Sequence, residues 1–306
     1  MNSDYSADCG GTSFLRRCVV PLAASAAVAS LLTTACSGGG PEDVPPSSTS
    51  VGVSDEAPAT PAEGAPTVAV PPVRAGFDYQ LNTPYPPPAG VSVVARDHTA
   101  PPAPGIYNIC YLNAFQAQPG AEHEWDADLL LRDRTGAVVM DKEWGEAMLD
   151  VHTDAKRRRI AQKVTTWIDN CAAKGYKAID PDNYDSYTRV PEGLLTADDA
   201  KAFLALLAVR AHERGLAIGQ KNAPQLAAAR KEVGVDFAVV EECGQYNECG
   251  DYVAAFDSHM IVIEYTAQGM ERACRGWADK VSIVRRDRNL VPRGDRGYFR
   301  ETCGTP

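Results

Sequence analysis

Acidic and amide side chains follow several short apolar stretches in the C-terminal two thirds of the chain. Asp180, Asp182 and Asn183 come after one such stretch, and Glu241 stands at the end of another. Carboxyl groups from two separate strands can face one another, and one can then transfer a proton while the other attacks a carbon centre or activates water. The sequence therefore predicts acid–base chemistry at a place where several strands end.

Two further strand ends support this interpretation. Lys221 and Asn222 follow a brief apolar stretch, and Glu264 and Tyr265 follow another. The near-continuous apolar run 235–240, which precedes the acid at position 241, is typical of a parallel strand that is buried on both faces. Barrel enzymes place their active sites at the carboxyl ends of such strands. The polar residues are therefore expected to meet at one face of a barrel.

Amphipathic helices are predicted between these strands, because apolar residues recur there with a 3.6-residue period. One helix is predicted to begin at Thr153 and to stop at Gly175, and another begins at Thr196, which forms a capping-box pattern with Asp199. From Val138 onward, strand-like and helix-like segments alternate, which indicates parallel strands joined by crossover helices. About 230 folded residues are typical of a single α/β barrel.

Prolines mark two irregularities in this predicted barrel. Residues 91–95 and 106–112 have the character of opening strands, but the Pro-rich gap 98–105 between them is too short for a normal crossover helix. The first β/α unit is therefore expected to be irregular. Further along, Pro181 is expected to end a strand that covers residues 176–179, because proline cannot donate a hydrogen bond to the ladder.

The N-terminal quarter does not have the composition of a protein core. Residues 1–35 contain paired arginines, an apolar stretch and small residues before Cys36, which indicates a lipoprotein-type signal peptide with lipid on Cys36. An ordinary secretory signal with a free Cys36 and a twin-arginine export signal are the alternatives. Residues 36–75 are rich in Pro, Ser and Thr and are predicted to form a disordered tether, and residues 76–306 to form the folded domain.

Cysteine usage and charge narrow the compartment and the partners. Six cysteines remain in the predicted domain, and Cys243–Cys249 and Cys274–Cys303 are the preferred nearby disulfide pairs, as expected outside the cytoplasm. No Cys-x-x-Cys motif or closely spaced His pair accompanies them, so no metal is predicted. The net charge of -10 argues against a nucleic-acid partner and allows a cationic substrate.

The ordered strand ends resemble one known family. The stretch 180–187, Lys221 with Asn222, the stretch 241–249, and Glu264 with Tyr265 resemble the endo-α-1,4-polygalactosaminidases, glycoside hydrolase family 114. Further similar positions are Tyr79, Gln80, Leu81, Tyr111, Trp144, Gly145, Glu146 and Asp150. The resemblance implies a (β/α)8 TIM barrel that cleaves α-1,4-linked galactosamine polymers, and no cofactor is predicted.

The resemblance also implies the catalytic pair. The family carries an aspartate after its fourth strand and a glutamate after its sixth, and the positions that match here are Asp182 and Glu241. Asp182 is interpreted as the nucleophile and Glu241 as the acid/base of a retaining mechanism, which places the carboxyl groups roughly 5 to 5.5 Å apart. Asp180 and Glu242 are the competing assignments, because strand alternation decides which side chains face the barrel mouth.

The other polar and aromatic residues near these motifs are predicted to bind a polysaccharide. Lys221 could keep Asp182 ionised, amides could donate hydrogen bonds to sugar hydroxyls, aromatic rings could stack on sugars, and further acids could pair with amino groups. The predicted binding residues are Tyr111, Trp144, Glu146, Asp150, Asp180, Asn183, Asp185, Lys221, Asn222, Tyr246, Glu264 and Tyr265. The protein is expected to be a monomer, secreted or held on the outer face of the cell membrane by Cys36.

Three other functions stay open on the sequence alone. Residues 113–116 depart from the Gly-Ser-Trp-Glu-like stretch of the family, so a barrel hydrolase of another α-glycan is one alternative. A surface-tethered glycan-binding protein without turnover is the second, and a scaffold lipoprotein is the third. The acids at successive strand ends favour an enzyme over both non-catalytic alternatives.

Overall fold

The computed structural model of the chain describes residues 68–304, so the predicted signal peptide, Cys36 and most of the predicted tether lie outside the described residues. In chain order the strands are β1 (Phe77–Gln80), β2 (Val93–Asp97), β3 (Tyr107–Asn113), β4 (Gln116–Ala117), β5 (Met140–Asp141), β6 (Glu146–Met148), β7 (Ala178–Asp182), β8 (Ala217–Lys221), β9 (Phe237–Glu241), β10 (Met260–Glu264), β11 (Ser282–Arg286) and β12 (Arg300–Thr302). The α-helices are α1 (Asp154–Lys174), α2 (Ala197–Glu213), α3 (Arg230–Val233), α4 (Cys243–Tyr246), α5 (Cys249–Phe256) and α6 (Ala267–Trp277).

The main sheet contains nine strands in the order β1-β2-β3-β7-β8-β9-β10-β11-β12. The first eight are parallel to their neighbours, and β12 pairs antiparallel with β11. From β7 onward the parallel strands are joined by helical connections, as a (β/α) barrel requires. The predicted α/β barrel class is confirmed.

The eight parallel strands enclose one apolar interior. Alternate residues of every strand point to the same side and pack into a single buried cluster. Its members include Phe77, Val93, Ile109, Ala178, Ala217, Phe237, Ile261 and Val284. Since each strand contributes to this cluster, the sheet curls around a packed core, as the interior of a TIM barrel does.

Arginine side chains join the first and last parallel strands. Within residues 68–304, β1 and β11 share no ladder, but the Arg286 guanidinium of β11 donates to Asp78 Oδ1 at 2.9 Å and to the Tyr79 carbonyl. Arg300 of β12 donates to the Phe77 carbonyl at 2.8 Å. These bonds satisfy backbone oxygens on the free edge of β1, which would otherwise lack partners.

The two long helices begin where the sequence predicts. The Thr153 side chain accepts a hydrogen bond from the Lys156 amide at the start of α1, and Gly175 ends that helix in the left-handed conformation. Thr196 and Asp199 form a complete capping box at the start of α2. None of the helices within residues 68–304 combines the length and apolar character that a membrane span needs.

The opening of the barrel is irregular, as predicted, but the irregularity extends further than expected. Neither the connection from β1 to β2 nor the one from β2 to β3 contains a helix. The sequence predicted the opening strands at residues 91–95 and 106–112, and these correspond to β2 and β3. A strand before them, β1, was not predicted, because its four residues are flanked by Gly and Pro instead of a clear alternating pattern.

The folded domain begins before the predicted boundary at residue 76. Val68 and Val70 are partly buried against the barrel cluster. The Tyr107 hydroxyl donates to the Ala69 carbonyl at 2.6 Å. Part of residues 68–75, predicted as the end of the tether, therefore packs against the barrel cluster.

Two predicted elements differ from the structure. Strand β7 does not stop before Pro181 but continues to Asp182. The ladder with β8 ends at Ile179, whereas the ladder with β3 continues to Asp182. Pro181, which has no N–H, therefore lies beyond the part of β7 that pairs with β8. The alternation of parallel strands and helices expected from Val138 onward does not begin there. Instead, β4, β6 and β5 form a small antiparallel sheet inserted between β3 and α1.

Three disulfides cross-link the domain. Cys243–Cys249 and Cys274–Cys303 are the two pairs predicted from the sequence, and both are confirmed. The third, Cys110–Cys171, joins β3 to α1 and closes a span of 61 residues. Closing such spans restricts the unfolded chain and so stabilises the barrel.

Candidate active site

Asp182, Lys221 and Glu241 occupy equivalent positions at the ends of three adjacent strands. They stand on β7, β8 and β9, which are the fourth, fifth and sixth parallel strands of the barrel. Each lies four residues after an inward-facing residue of the apolar cluster, so strand alternation directs all three side chains into the barrel mouth. The expected positions of the catalytic acids, after the fourth and sixth strands, are therefore those of Asp182 and Glu241.

A left-handed residue turns the chain immediately after each of these positions. Asn183, Asn222 and Glu242 have φ values of 70°, 47° and 59°. Asparagine tolerates this conformation well, whereas it is uncommon for glutamate. Because the turn comes at once, the preceding side chain is the last that the strand directs inward. Such local strain often accompanies functional sites.

Lys221 links the two acids. Its side chain is 1% exposed, and its ammonium lies 3.2 Å from Asp182 Oδ1 and 3.4 Å from Glu241 Oε1. It also donates to the Tyr79 hydroxyl at 2.8 Å. Asp182 is fixed further by the Tyr111 hydroxyl, which donates to its Oδ2 at 2.7 Å. Two residues that are 59 positions apart in the chain thus share one buried cation.

The electrostatic environment keeps Asp182 ionised. Burial alone would raise the pKa of its carboxyl group, but the Lys221 charge and the hydrogen bonds from Tyr111 and the Asn183 amide together hold that pKa below its usual value. Burial likewise disfavours the Lys221 ammonium, yet the surrounding carboxylates of Asp182 and Glu241 raise its pKa well above the usual value. Asp182 and Lys221 therefore form an ion pair at neutral pH.

The competing acids do not face the cavity. Asp180 is fully buried below Asp182, with its carboxyl group 3.8 Å from the Lys221 ammonium. Glu242 is paired with Arg288, whose Nη1 lies 3.4 Å from Glu242 Oε2, and it does not line the cavity. Alternation therefore separates Glu242 from Glu241, whereas Asp180 differs from Asp182 by its depth below the cavity.

A cavity of about 660 Å³ opens above the three residues. Nine predicted site residues line it: Tyr111, Trp144, Glu146, Asp182, Asn183, Asp185, Asn222, Glu241 and Tyr265. Its volume lies within the range of small-molecule sites, and acids, amides and aromatic rings together form its wall. Asp180 and Lys221 lie directly beneath it. The structure thus brings most of the predicted site into one concave surface.

Three predicted binding residues lie outside this cavity. Asp150 pairs with Lys156 at 2.6 Å. Tyr246 is 64% exposed on the short helix α4 and does not line the cavity. Glu264 is fully buried and accepts a hydrogen bond from the Gly244 amide at 2.7 Å. Burial raises the pKa of Glu264 to about 7. Its contacts support the turn after β9 and leave no direct access to the cavity.

Sequence reasoning missed several residues of the cavity wall. Arg189 lies there, with Nε 3.0 Å from Asp141 Oδ2 and Nη1 2.9 Å from Asp185 Oδ1. Arg288 also lines the cavity and pairs with Glu143 of the inserted sheet. Both arginines stand in loops, where no periodic pattern marks them. Tyr79 of β1 could have been found, because it alternates with Phe77 toward the barrel interior.

Glu146 is the most buried acid among the predicted binding residues that line the cavity. Its side chain comes from β6 of the inserted sheet and accepts a hydrogen bond from Asn183 Nδ2 at 3.4 Å. Burial raises the pKa of Glu146 to about 7, although a hydrogen bond from Asn113 opposes the shift. At neutral pH this acid exists in both protonation states, and a cationic sugar would favour the ionised one.

One group of potential metal ligands occurs in the described part of the chain, and it is not suited to a metal. Cys243, Cys249 and Glu264 offer ligand atoms within 4.8 Å of one another. The two sulfur atoms are joined in a disulfide, so neither is a thiolate that could bind a cation. The cluster is a structural one.

The sequence profile of the glycoside hydrolase family GH114 matches residues 57–306. The chain belongs to glycoside hydrolase family GH114. This assignment agrees with the resemblance seen in the strand ends. Membership of GH114 supports a glycosidase. A comparison with curated protein sequences gives no match.

Solved structures confirm the fold of this GH114 chain. Ega3 of Aspergillus fumigatus, whose crystal structure is a complex with galactosamine, is 23% identical with a TM-score of 0.64, and the alignment covers 81% of this chain and 100% of that chain. The glycoside hydrolase domain of PelA from Pseudomonas aeruginosa is 13% identical with a TM-score of 0.53, covering 72% of this chain and 97% of that chain. At these identities the likeness establishes the barrel architecture.

The exposed ring of Trp144 should contribute to substrate binding. It is 52% exposed and lines the cavity, so a sugar ring could stack on it. We expect Trp144→Ala to raise KM for an oligosaccharide about tenfold with little change in kcat, because about 1.4 kcal/mol of binding is lost in both the ground and transition states. Steady-state kinetics measure this. Tyr246→Ala, which removes an exposed ring outside the cavity, is the control and should leave KM unchanged.

Proposed function

We propose that this GH114 chain hydrolyses α-1,4-linked galactosamine-containing polysaccharide by a two-carboxylate retaining mechanism. The observation that carries the proposal is the contact of Asp182 and Glu241 with one ammonium group at the floor of the cavity. Family membership supports glycoside hydrolysis. The galactosamine in the Ega3 complex supports an amino sugar as the substrate unit.

In this mechanism Asp182 attacks the anomeric carbon while Glu241 donates a proton to the leaving glycosidic oxygen. A covalent glycosyl-enzyme forms, and Glu241 then accepts a proton from the water that hydrolyses it. Retaining pairs lie about 5 to 5.5 Å apart and inverting pairs about 6.5 to 9.5 Å apart. Two oxygen atoms within 3.4 Å of one nitrogen are separated by at most twice that distance, which lies below most of the inverting range and so supports the retaining arrangement.

Lys221 suits both stages of the reaction. Before attack, Asp182 carries the negative charge, and Lys221 stabilises it at 3.2 Å. After attack, the bond to the sugar removes that charge, and Glu241 becomes the carboxylate, 3.4 Å from the same ammonium. One buried cation therefore pairs with whichever acid is ionised, without moving. Such a preorganised charge lowers the cost of reorganisation during the reaction.

Charge complementarity supports a cationic polymer as the substrate. Glu146 and Asp185 line the cavity besides the catalytic pair, and the chain carries a net charge of -10. Negative potential in a cleft attracts a polycation and raises its local concentration. An amino group would also pair with the Glu146 carboxylate, whose burial otherwise disfavours ionisation.

We also propose that the enzyme acts outside the cytoplasm as a monomer held to the membrane by lipid on Cys36. The signal-like residues 1–35 and the composition of the residues that follow support this location. The three disulfides support an oxidising compartment.

The substrate assignment is tested with the chain from residue 57, where the family match begins. We expect it to release products from polygalactosamine and to act more slowly on N-acetylated polymer and on neutral α-galactan, because the amino groups pair with acids in the cavity. The first anomer released, followed by NMR, should be the α anomer. Binding of polymer without product from any glycan would identify a glycan-binding protein, and a β anomer would replace the retaining mechanism by an inverting one.

A further inference from the structure

Asp180 is a buried carboxyl group directly beneath the active-site cavity. It precedes Asp182 by two residues on β7, so both side chains point into the barrel. Asp180 is 0% exposed. Neither of its carboxyl oxygens accepts a hydrogen bond from any residue of the described range 68–304. Its ion-pair contact is with the Lys221 ammonium at 3.8 Å, beyond hydrogen-bond distance.

The Lys221 ammonium lies closer to three other acceptors than to Asp180. An ammonium group offers three donors. The acceptors close enough to use them are the Tyr79 hydroxyl at 2.8 Å, Asp182 Oδ1 at 3.2 Å and Glu241 Oε1 at 3.4 Å. An ionised Asp180 would therefore be a buried charge without a hydrogen bond, which is strongly unfavourable. Protonation removes that charge.

The balance of charge leads to the same result. Lys221 supplies one positive charge beside three carboxyl groups, those of Asp180, Asp182 and Glu241. In the reaction proposed above, one of the latter two is ionised at every stage, since the charge passes from Asp182 to Glu241. The buried cluster stays neutral throughout only when Asp180 keeps its proton.

We propose that Asp180 is a positioning residue that works in its protonated form. A neutral Asp180 does not compete with Asp182 and Glu241 for the Lys221 charge. When Asp180 loses its proton at alkaline pH, the site is inactivated. This inference rests on the function proposed above. The titratable groups that face Asp180 are Lys221 of β8, Tyr79 of β1, Tyr111 of β3, Glu241 of β9 and Asp182 of its own strand.

The electrostatics of the cluster agree with this role. Burial raises the pKa of Asp180 to about 7, although the Lys221 charge opposes the shift, and the charges of Asp182 and Glu241 add to it. The carboxyl group therefore loses its proton near neutral pH instead of near pH 4, the usual value for aspartate.

The first test compares the pH dependence of kcat/KM in the full chain and in Asp180→Asn, whose amide imitates the neutral acid. At about pH 5 the variant should retain activity within about tenfold of the native chain, and its alkaline limb should move to higher pH, because one of two inactivating ionisations is gone. If Asp180 works ionised, the amide lacks the required charge, so the variant would lose far more than tenfold in activity and its alkaline limb would not move to higher pH. An unchanged limb would also overturn the proposal.

The second test needs no substrate, so its failure is distinct from failure of the proposed function. A carboxyl group whose pKa is raised on folding destabilises the protein progressively as the pH rises from the pKa of the unfolded state to the pKa of the folded state. Asp180→Asn should therefore gain stability relative to the native chain between about pH 4 and pH 7, measured as a growing difference in melting temperature. Asp169→Asn is the control, because Arg214 and Arg210 lower the pKa of Asp169 to about 2. It should be less stable than the native chain by a nearly constant amount over that range, and it should leave the catalytic pH profile unchanged.

A second neutral variant guards against a simple folding defect. Asp180→Leu keeps a similar shape without polar atoms, and it should show the same gain in relative stability between about pH 4 and pH 7. If both variants fail to fold, the negative charge of Asp180 is required and the proposal is wrong. A stability difference that is constant or shrinks across this range in both variants would overturn it equally.

Discussion

Asp182→Asn and Glu241→Gln should each lower turnover by at least about a thousandfold while the protein stays folded. Both substitutions keep the shape of the side chain and remove the group that performs the chemistry. Asp182 and Glu241 border the open cavity, with side chains 18% and 25% exposed, so amides there can be solvated without loss of core packing. Turnover of polygalactosamine and the thermal melting curve of each variant give the two measurements.

The two variants should differ in how they respond to the leaving group. An aryl glycoside with a good leaving group departs with little help from a proton donor. The rate of glycosyl-enzyme formation in Glu241→Gln should therefore be largely restored with such a substrate. It should stay low in Asp182→Asn, which lacks the nucleophile. Glu242→Gln is the matched control, because it changes the neighbouring acid, which does not line the cavity. Near-native turnover in Asp182→Asn or Glu241→Gln would contradict the assignment of the catalytic pair.

The barrel was accessible from sequence because it depends on local patterns, whereas the assignment of Asp182 and Glu241 as the catalytic pair came from the family resemblance. Apolar runs that end in polar residues mark parallel strands, and period 3.6 marks the helices between them. Asp180 and Asp182 lie on the same face of β7, so only their depth along the strand distinguishes them. Alternation distinguishes Glu241 from Glu242 by direction. These relations need only neighbours in the chain.

Glu264 shows where the same pattern misleads. It ends an apolar strand as Glu241 does, but Ile261 and Ile263 of β10 face the barrel interior, so the next inward position belongs to Tyr265. The Glu264 carboxyl instead packs against Gly269, where an added Cβ would lie 2.1 Å from its Oε2. An acid at a strand end is thus catalytic only when its place in the alternation is inward.

The remaining differences come from contacts between distant segments. Arg189 and Arg288 reach the cavity from loops, and the pairing of Arg288 with Glu143 spans 145 residues. The antiparallel insertion between β3 and α1 looked like part of the barrel, because two- and three-residue strands carry too little periodicity to reveal their direction. Composition alone could not show that Val68 and Val70 pack against the barrel cluster.

Lys221→Met should reduce turnover at pH 7 by at least about a hundredfold, which corresponds to about 2.7 kcal/mol in the barrier. Methionine fills a similar volume but removes the buried charge that pairs with Asp182 and Glu241. Burial then acts on Asp182 without the opposing Lys221 charge, so the pKa of Asp182 should rise. Because only the ionised carboxylate attacks, the acid limb of the pH profile should move to higher pH. Steady-state kinetics from acid to alkaline pH measure both effects.

The same substitution should destabilise the fold in a pH-dependent way. With Lys221 present, the pKa of Asp182 is lowered. The ion pair therefore stabilises the protein at any pH above the usual pKa of aspartate, and this contribution is lost as the pH falls through the lowered pKa. Breaking a buried pair costs about 3 to 5 kcal/mol, and the lower end applies here because Asp182 borders the cavity. Since the Lys221 charge itself persists across this range, its raised pKa adds no further slope.

The difference in unfolding free energy between Lys221→Met and the native chain should therefore be greatest near pH 7 and shrink as pH falls toward about 4, where Asp182 in the variant is neutral. Urea unfolding at a series of pH values measures it. Lys231→Met, which removes an exposed lysine of α3, should change neither stability nor turnover appreciably. A loss of stability in Lys221→Met that is independent of pH would mean that the lysine supports the barrel by packing, and the charge-sharing role of Lys221 would be wrong.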